Sequence, residues 1–275
     1  MAPGDLLTRI ADARRRRVDL LQKVTPLPVL RERARGRIPR RDFARTLALP
    51  RAGPLPVRII AEIKRASPSE GLIRESLDPQ SLAGDLVAAG ADALSVLTEP
   101  GFFQGKGVFL NQCRRGAPHA PLLRKDFLLD PWQVWESRLL GADAVLLITT
   151  LLPGSLLTRM LKTAEEASLE VLVEVKSQGE LDTAVAAGAR VIGFNARNLS
   201  DFSVDLRRVE RLAAAIPAGV TAVAESGVRS RDDLLRLGNA GFHAVLVGTA
   251  LMREKSPGET LAAWLAGAPL GKETG

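Results

Sequence analysis

A chain of 275 residues, 46% hydrophobic and 25% charged, can bury one substantial core, which argues against a disordered chain. A single cysteine, Cys113, excludes an intrachain disulfide framework, and two histidines leave little for a histidine-based metal centre. The net charge of +7 is uneven: residues 1–58 carry 15 Lys+Arg against 5 Asp+Glu, and residues 59–275 carry 23 against 26, so the basic excess belongs to the N-terminal segment.

Residues 1–56 precede the first strand pattern. Leu6, Leu7, Ile10, Val18, Leu21 and Val24 recur at helical spacing. Pro26, Pro28, Pro39, Pro50, Pro54 and Pro56 break the remainder into short pieces. The expectation is a helical extension that packs on residues 57–275, the whole 1–275 forming one domain. The run Arg14-Arg15-Arg16-Arg17 reads as a solvated helix face, because Asp5, Asp12 and Asp19 interleave with it and no aromatic lies near to stack on bases. Nucleic-acid binding through that run is the alternative, and the expectation is no nucleic-acid partner. The N-terminus lacks a signal-peptide core, and the longest apolar run, 144–152, is too short to span a bilayer. A cytoplasmic protein with no membrane partner is expected, a monomer by default.

Four look-alike segments, 88–97, 140–148, 186–194 and 239–247, each join a helix-ending glycine to a short apolar strand. Their glycines, Gly90, Gly141, Gly188 and Gly241, are 51, 47 and 53 residues apart, which suits two strand-helix units per period. Strands at 57–63, 121–125, 170–175 and 220–226 complete a set of eight. Apolar runs without clean alternation point to parallel strands buried on both faces. The pattern predicts an α/β fold, a (β/α)8 TIM barrel with an N-terminal helical extension. Helix starts are expected at Asp78-Pro79 and Asp130-Pro131, and at capping boxes opened by Ser177, Ser230 and Ser256.

Such barrels carry their active site at the C-terminal strand ends. Glu62 and Lys64, two apart on the first strand, share a face. The third strand ends in Lys125-Asp126-Phe127 and the fifth in Glu174; the sixth runs into Asn195-Ala196-Arg197-Asn198. The seventh ends in Glu225-Ser226-Gly227 and the eighth in Gly248-Thr249. Lysines and glutamates converging on one rim tune each other's proton affinity and supply paired acid and base. A structural ion-pair network closing the barrel mouth is the alternative. Ser226-Gly227 and Gly248-Thr249, each ahead of a helical turn, form a candidate anion seat. His119, His243, Cys113 and the pair Trp132 and Trp135 read as packing or surface residues, and no P-loop or dinucleotide fingerprint occurs.

At these residues the sequence resembles the indole-3-glycerol-phosphate synthase family of tryptophan biosynthesis. The blocks that carry the resemblance are Ile60-Ala-Glu-Ile-Lys-Arg-Ala-Ser-Pro-Ser69, Leu123-Arg-Lys-Asp-Phe-Leu-Leu-Asp-Pro131 and Gly141-Ala-Asp-Ala-Val-Leu-Leu-Ile148. Leu172-Val-Glu-Val175, Asn195-Ala-Arg-Asn-Leu199 and Ala224-Glu-Ser-Gly227 follow in order. The resemblance implies a lyase that closes an indole ring with loss of carbon dioxide and water, without a cofactor or metal. By resemblance, Lys125 is the general acid, Glu174 the general base and Lys64 a second acid or charge stabiliser. Glu62 and Asn195 position the reacting groups. Ser67 and Arg197 contact the substrate carboxylate, Phe103 and Phe127 hold its ring, and Ser226, Gly227, Gly248 and Thr249 seat its phosphate. Three positions depart from the family pattern: Thr249 where Ser or Glu is usual, Lys106 where Ser is common, and Ala196 in place of Asn. Two other readings stay open. One is a different sugar-phosphate barrel enzyme, such as a phosphoribosylanthranilate isomerase, a family that relies on a Cys/Asp pair. The other is a non-catalytic binding protein that keeps the anion seat.

Overall fold

The computed structural model describes residues 4–35, 41–198 and 202–267. Eight strands form a closed parallel barrel in chain order: β1 (Arg58–Ile63), β2 (Ala93–Leu97), β3 (Leu122–Lys125), β4 (Ala144–Ile148), β5 (Glu170–Val175), β6 (Val191–Asn195), β7 (Thr221–Glu225) and β8 (Ala244–Val247). Closure is the pairing of β1 with β8, Arg58 opposite Ala244. The expected strands match these to within one residue at each end; Ser226 falls outside because its φ of 68° leaves the extended region. Around the barrel lie α4 (Pro79–Ala88), α5 (Val108–Gly116), α6 (Pro131–Leu139), α7 (Ser155–Glu166), α8 (Gln178–Ala186), α9 (Leu206–Ala213), α10 (Arg231–Asn239), α11 (Thr249–Arg253) and α12 (Pro257–Ala266). This is the TIM barrel that the repeats predict.

The repeat has a physical cause at both of its ends. Gly90, Gly141, Gly188 and Gly241 all take φ between 89° and 104°, where a side chain would be strained, so each helix turns sharply into its strand. In three of the four, the side chain two residues later accepts a hydrogen bond from a backbone N–H of the preceding strand; the fourth has Arg190 there, which has no acceptor. Asp92 accepts from Ile59 at 2.8 Å, Asp143 from Leu122 at 2.8 Å, and the Nδ1 of His243 from Ala222 at 3.1 Å. Burial lowers the proton affinity of His243, which suits an imidazole used as an acceptor. Its role is structural, as expected.

Helix caps fall where the sequence places them. Asp78, Asp130, Ser177 and Ser230 each accept from backbone N–H groups of the first turn. Ser256 departs from the expectation: it makes no cap hydrogen bond through its side chain, and α12 starts on the fixed φ of Pro257.

The extension spans the barrel from mouth to floor. It comprises α1 (Gly4–Val24), α2 (Leu27–Arg35) and α3 (Phe43–Ala48); residues 1–3 and 36–40 lie outside the described set. Phe43 and Leu47 are fully buried and join the inward-facing Ile60, Leu123, Leu172 and Val223 in one core, so α3 plugs the barrel floor. The Glu170 carboxylate accepts the Ala44 N–H at 2.9 Å and holds the plug. At the other end, the Trp132 indole donates to the Thr25 carbonyl at 2.8 Å and Gln22 to Asp130 at 3.0 Å.

One expectation about α1 is overturned. Arg15, Arg16 and Arg17 are exposed, but Arg14 is only 4% exposed. Ile10, Arg14 and Val18 are spaced by four, so Arg14 lies on the inward stripe. It donates to Asp126 Oδ2 at 2.9 Å. The same oxygen accepts from Arg124 at 3.0 Å and from the Thr98 hydroxyl at 2.6 Å, and Arg124 also meets Glu136 at 2.8 Å. Burial alone would raise the Asp126 carboxyl, but Arg124 and Arg14 outweigh it and hold it below the usual range. Hydrogen bonds to a charged group contribute about 1.5–3 kcal/mol, so Arg14→Met should lower stability by about that amount. Arg17→Ala, on the exposed face, should stay within about 0.5 kcal/mol. Urea denaturation compares the two, and equal small effects would dismiss Arg14 as the anchor.

Candidate active site

Period-two alternation brings the charged side chains together. Ile60 and Glu62, Leu123 and Lys125, Leu172 and Glu174, and Val223 and Glu225 each lie on the inward face of their strand, one residue pair per strand. Lys125 Nζ donates to Glu225 Oε2 at 2.8 Å and to Glu174 Oε2 at 3.2 Å. Lys64 pairs with Glu62 Oε1 at 2.7 Å. Burial on its own would lower the proton affinity of Lys125. Glu225, Glu174 and Glu62 outweigh it and hold the ammonium above its ordinary value. Burial pushes the Glu225 carboxyl up to about 7, against the pull of Lys125 and with repulsion from Glu174 and Glu62.

Two joined cavities open at this rim. The apolar one is walled by Leu6, Leu7 and Ile10 of α1 together with Leu97, Phe103 and Phe127. The polar one is bounded by Gly227, Val228, Arg229, Gly248 and Arg253. Glu62, Lys64, Lys125, Arg197, Ser226 and Thr249 line both, so the charges stand where the two arms meet. Glu174, Asn195 and Ser67 line the apolar arm. Every residue singled out in the sequence for a site role therefore lies at one arm or at the junction. Lys106 is exposed and lies outside both linings.

The walls are held from behind. Phe103 and Phe127 pack with ring centroids 5.9 Å apart and planes tilted by 40°. The buried Glu99 carboxylate accepts the N–H groups of Gly101, Phe102 and Phe103 at 2.6 to 2.9 Å and so sets the loop that carries Phe103. Phe127 donates its N–H to Asp126 at 2.8 Å, and its carbonyl accepts from Gln133 at 3.0 Å. Arg197 is steered by the Asn195 side chain, which accepts its N–H at 2.9 Å, and donates to the Phe202 carbonyl at 3.2 Å. Leu199, the last residue of that sequence block, lies outside the described residues.

The polar arm combines charged side chains with a strained glycine turn. Ser226 is held at φ 68° and Gly227 at 85°. A Cβ at Gly227 would meet Val204 at 2.6 Å, so only glycine fits there. A non-glycine residue such as Ser226 in this region costs about 1–2 kcal/mol, strain of the kind that gathers at functional sites. Glycine-rich backbone opening toward helix starts is suited to an anion.

Six residues at the site were given no role in the sequence. Glu225 stood at a strand end without an assigned role, and its period with Val223 was the available signal. Leu6, Leu7 and Ile10 were legible as an apolar stripe, but not as a cavity wall. Glu99 and Phe202 gave no signal, since each acts through what folds back over it.

The family model described as indole-3-glycerol phosphate synthase matches residues 7–263. The chain is 47% identical to the indole-3-glycerol phosphate synthase of Chlorobium limicola over 245 residues, covering 89% of this chain and 93% of that protein. It is 42% identical to that of Delftia acidovorans over 268 residues, covering 94% and 98%. Among solved structures, 3-hexulose-6-phosphate synthase from Salmonella typhimurium superposes with a TM-score of 0.62 at 14% identity, covering 77% of this chain and 97% of the other. Tryptophan synthase subunit alpha from Legionella pneumophila superposes with 0.54 at 16% identity, covering 76% and 90%. At such identities the two structures show a shared barrel alone.

The raised Glu225 carboxyl has a consequence for stability. Between the ordinary value of 4.5 and about 7, the folded chain holds one proton more at this site than the unfolded chain. Stability from this group therefore falls as pH rises through that window. Glu225→Gln removes the slope, so the melting temperature of the variant minus that of the wild type should increase across the window and then level. A difference flat in pH would contradict the burial of an ionising Glu225.

Proposed function

The chain belongs to the indole-3-glycerol phosphate synthase family, and from that premise we propose how its side chains carry the reaction. The activity is that of a carboxy-lyase in tryptophan biosynthesis. It converts a small phosphorylated substrate, 1-(2-carboxyphenylamino)-1-deoxyribulose 5-phosphate, into indole-3-glycerol phosphate.

In our reading the substrate lies across the junction of the two arms. Its aromatic ring enters the apolar arm between Phe103 and Phe127, under Leu6, Leu7 and Ile10. Its phosphate enters the polar arm at Ser226, Gly227, Gly248 and Thr249; Thr249 keeps a hydroxyl there. Arg197 and Ser67 face the ring carboxylate. The scissile and forming bonds then fall beside Lys125. An elongated pocket with one apolar and one polar end fixes the orientation of such a substrate, and orientation itself contributes to rate.

The ring carbon that bears the carboxylate attacks the ribulose carbonyl. A carbon-carbon bond forms, the carbonyl electrons move to oxygen, and Lys125 supplies the proton that this oxygen takes up. The ring nitrogen becomes an iminium and accepts the electrons released when the bond to carbon dioxide breaks. The new hydroxyl then leaves as water with a proton from an ammonium, Lys125 or Lys64. Glu174 takes the proton that the neighbouring carbon loses as the indole becomes aromatic. Glu62 and Asn195 hold Lys64 and Arg197 in place, and Glu225 holds Lys125.

The observation that carries this reading is a single ammonium, Lys125, bonded to Glu174 and Glu225 where the two arms join. A purely structural ion-pair network would not need that junction to be open. Residues 1–56 belong in this reading to the same domain as the barrel, supported by the buried Arg14–Asp126 pair and the α3 plug. No helix among the described residues is long and apolar enough to cross a membrane. We read a cytoplasmic monomer without a nucleic-acid partner; within the basic run Arg14 is engaged inside the protein and Arg15 pairs with Asp12.

Lys125→Met and Glu174→Gln should each lower turnover by about 10²–10⁴-fold, the contribution of a positioned acid or base. The fluorescence of the indole product reads the rate directly. Near-wild-type turnover in either variant would reject the role given to that residue.

A further inference from the structure

The Glu225 carboxylate uses its two oxygens unequally. Oε2 accepts from Lys125 at 2.8 Å, whereas Oε1 is buried and has no hydrogen-bond partner. What Oε1 faces is bare backbone: a Cβ built on Gly193 of β6 would lie 1.9 Å from Oε1 and 3.0 Å from the Glu225 Cδ. Real Cβ atoms do not approach so closely, so the place a methyl group would fill is the place this carboxylate occupies. Glu62 is seated the same way two strands further round the barrel, its Oε1 in the place of a Cβ built on Gly248, the residue after β8.

We propose that Gly193 is a positioning residue for the reaction: its missing side chain is the seat that holds the Glu225 carboxylate beside Lys125. Gly193 sits mid-strand, opposite Val223 of β7, with no positive φ that would demand glycine for the backbone. It lines neither arm of the site, so it cannot act by touching substrate. The requirement for glycine there comes from Glu225, because the other close neighbour, Leu172 Cδ1, is at 3.3 Å and needs to shift by only a few tenths of an ångström. The inference rests on the reading that Glu225 holds Lys125 during turnover.

Gly193→Ala should fold, since the atom in the way is the far end of a flexible side chain and the strand keeps its hydrogen bonds. Its crystal structure should show the Glu225 carboxylate displaced by about 1 Å or more. Displacement of that size can cost about 10²-fold, so kcat should fall by about that factor while KM for the substrate stays near the wild-type value. Glu225→Asp shortens the acid by one methylene and should lose activity alone. In the double variant the added methyl fills the space that the shorter acid vacates, so Gly193→Ala with Glu225→Asp should turn over faster than either single variant. Wild-type kcat in Gly193→Ala, an unmoved carboxylate, or losses that simply multiply in the double variant would overturn the proposal. Glu225→Gln separates the two levels. Full activity there would overturn the role of Glu225 itself. An inactive Glu225→Gln beside a fully active Gly193→Ala would overturn only the seat.

Discussion

A lysine ammonium buried inside a protein needs carboxylates around it, and this requirement on Lys125 organises the rest of the structure. The carboxylates that answer it stand on β5 and β7, with Glu62 of β1 also acting on it. No local segment can bring these residues together. Only a closed barrel, with eight strands in register, places their inward side chains at one height. The proposed catalytic geometry therefore depends on closure of the fold.

The third strand joins this centre to the N-terminal extension. Its inward residues, Leu123 and Lys125, face the barrel interior, while Arg124 and Asp126, the residue just after the strand, pair with each other on the helical side. Asp126 receives Arg14 from α1 and also fixes the Phe127 N–H. One strand therefore presents the proposed acid on one face and the anchor of the cavity wall on the other. The apolar wall from α1 restricts water near Lys125, and a drier site strengthens every charge interaction within it.

Much of this was legible before folding was considered. The four repeats announced a barrel because each carries a glycine where the backbone must turn left-handed. Lys125 and Glu174 could be located because strand ends are where such barrels place their chemistry. What stayed hidden depends on partners distant in sequence. Arg14 looked solvated within its run of arginines, and only its spacing from Ile10 and Val18 hinted otherwise. Phe43 and Leu47 gave no sign that they would close the floor, since a six-residue helix carries little periodic signal. Glu99 works through three N–H groups of a loop that folds back on it. Glu225 needs Gly193 of the neighbouring strand to be understood, and strand pairing is not written in either segment alone.

The central claim is that Lys125 stands at the reacting carbonyl, between an aromatic arm and a phosphate arm. The most direct measurement is a crystal structure with an unreactive substrate analogue whose carbonyl is reduced to an alcohol. The account predicts the alcohol oxygen within hydrogen-bond distance of Lys125 Nζ, the ring between Phe103 and Phe127, and the phosphate against Gly227 and Gly248. An analogue bound with its alcohol turned away from Lys125, or with ring and phosphate in exchanged arms, would contradict it.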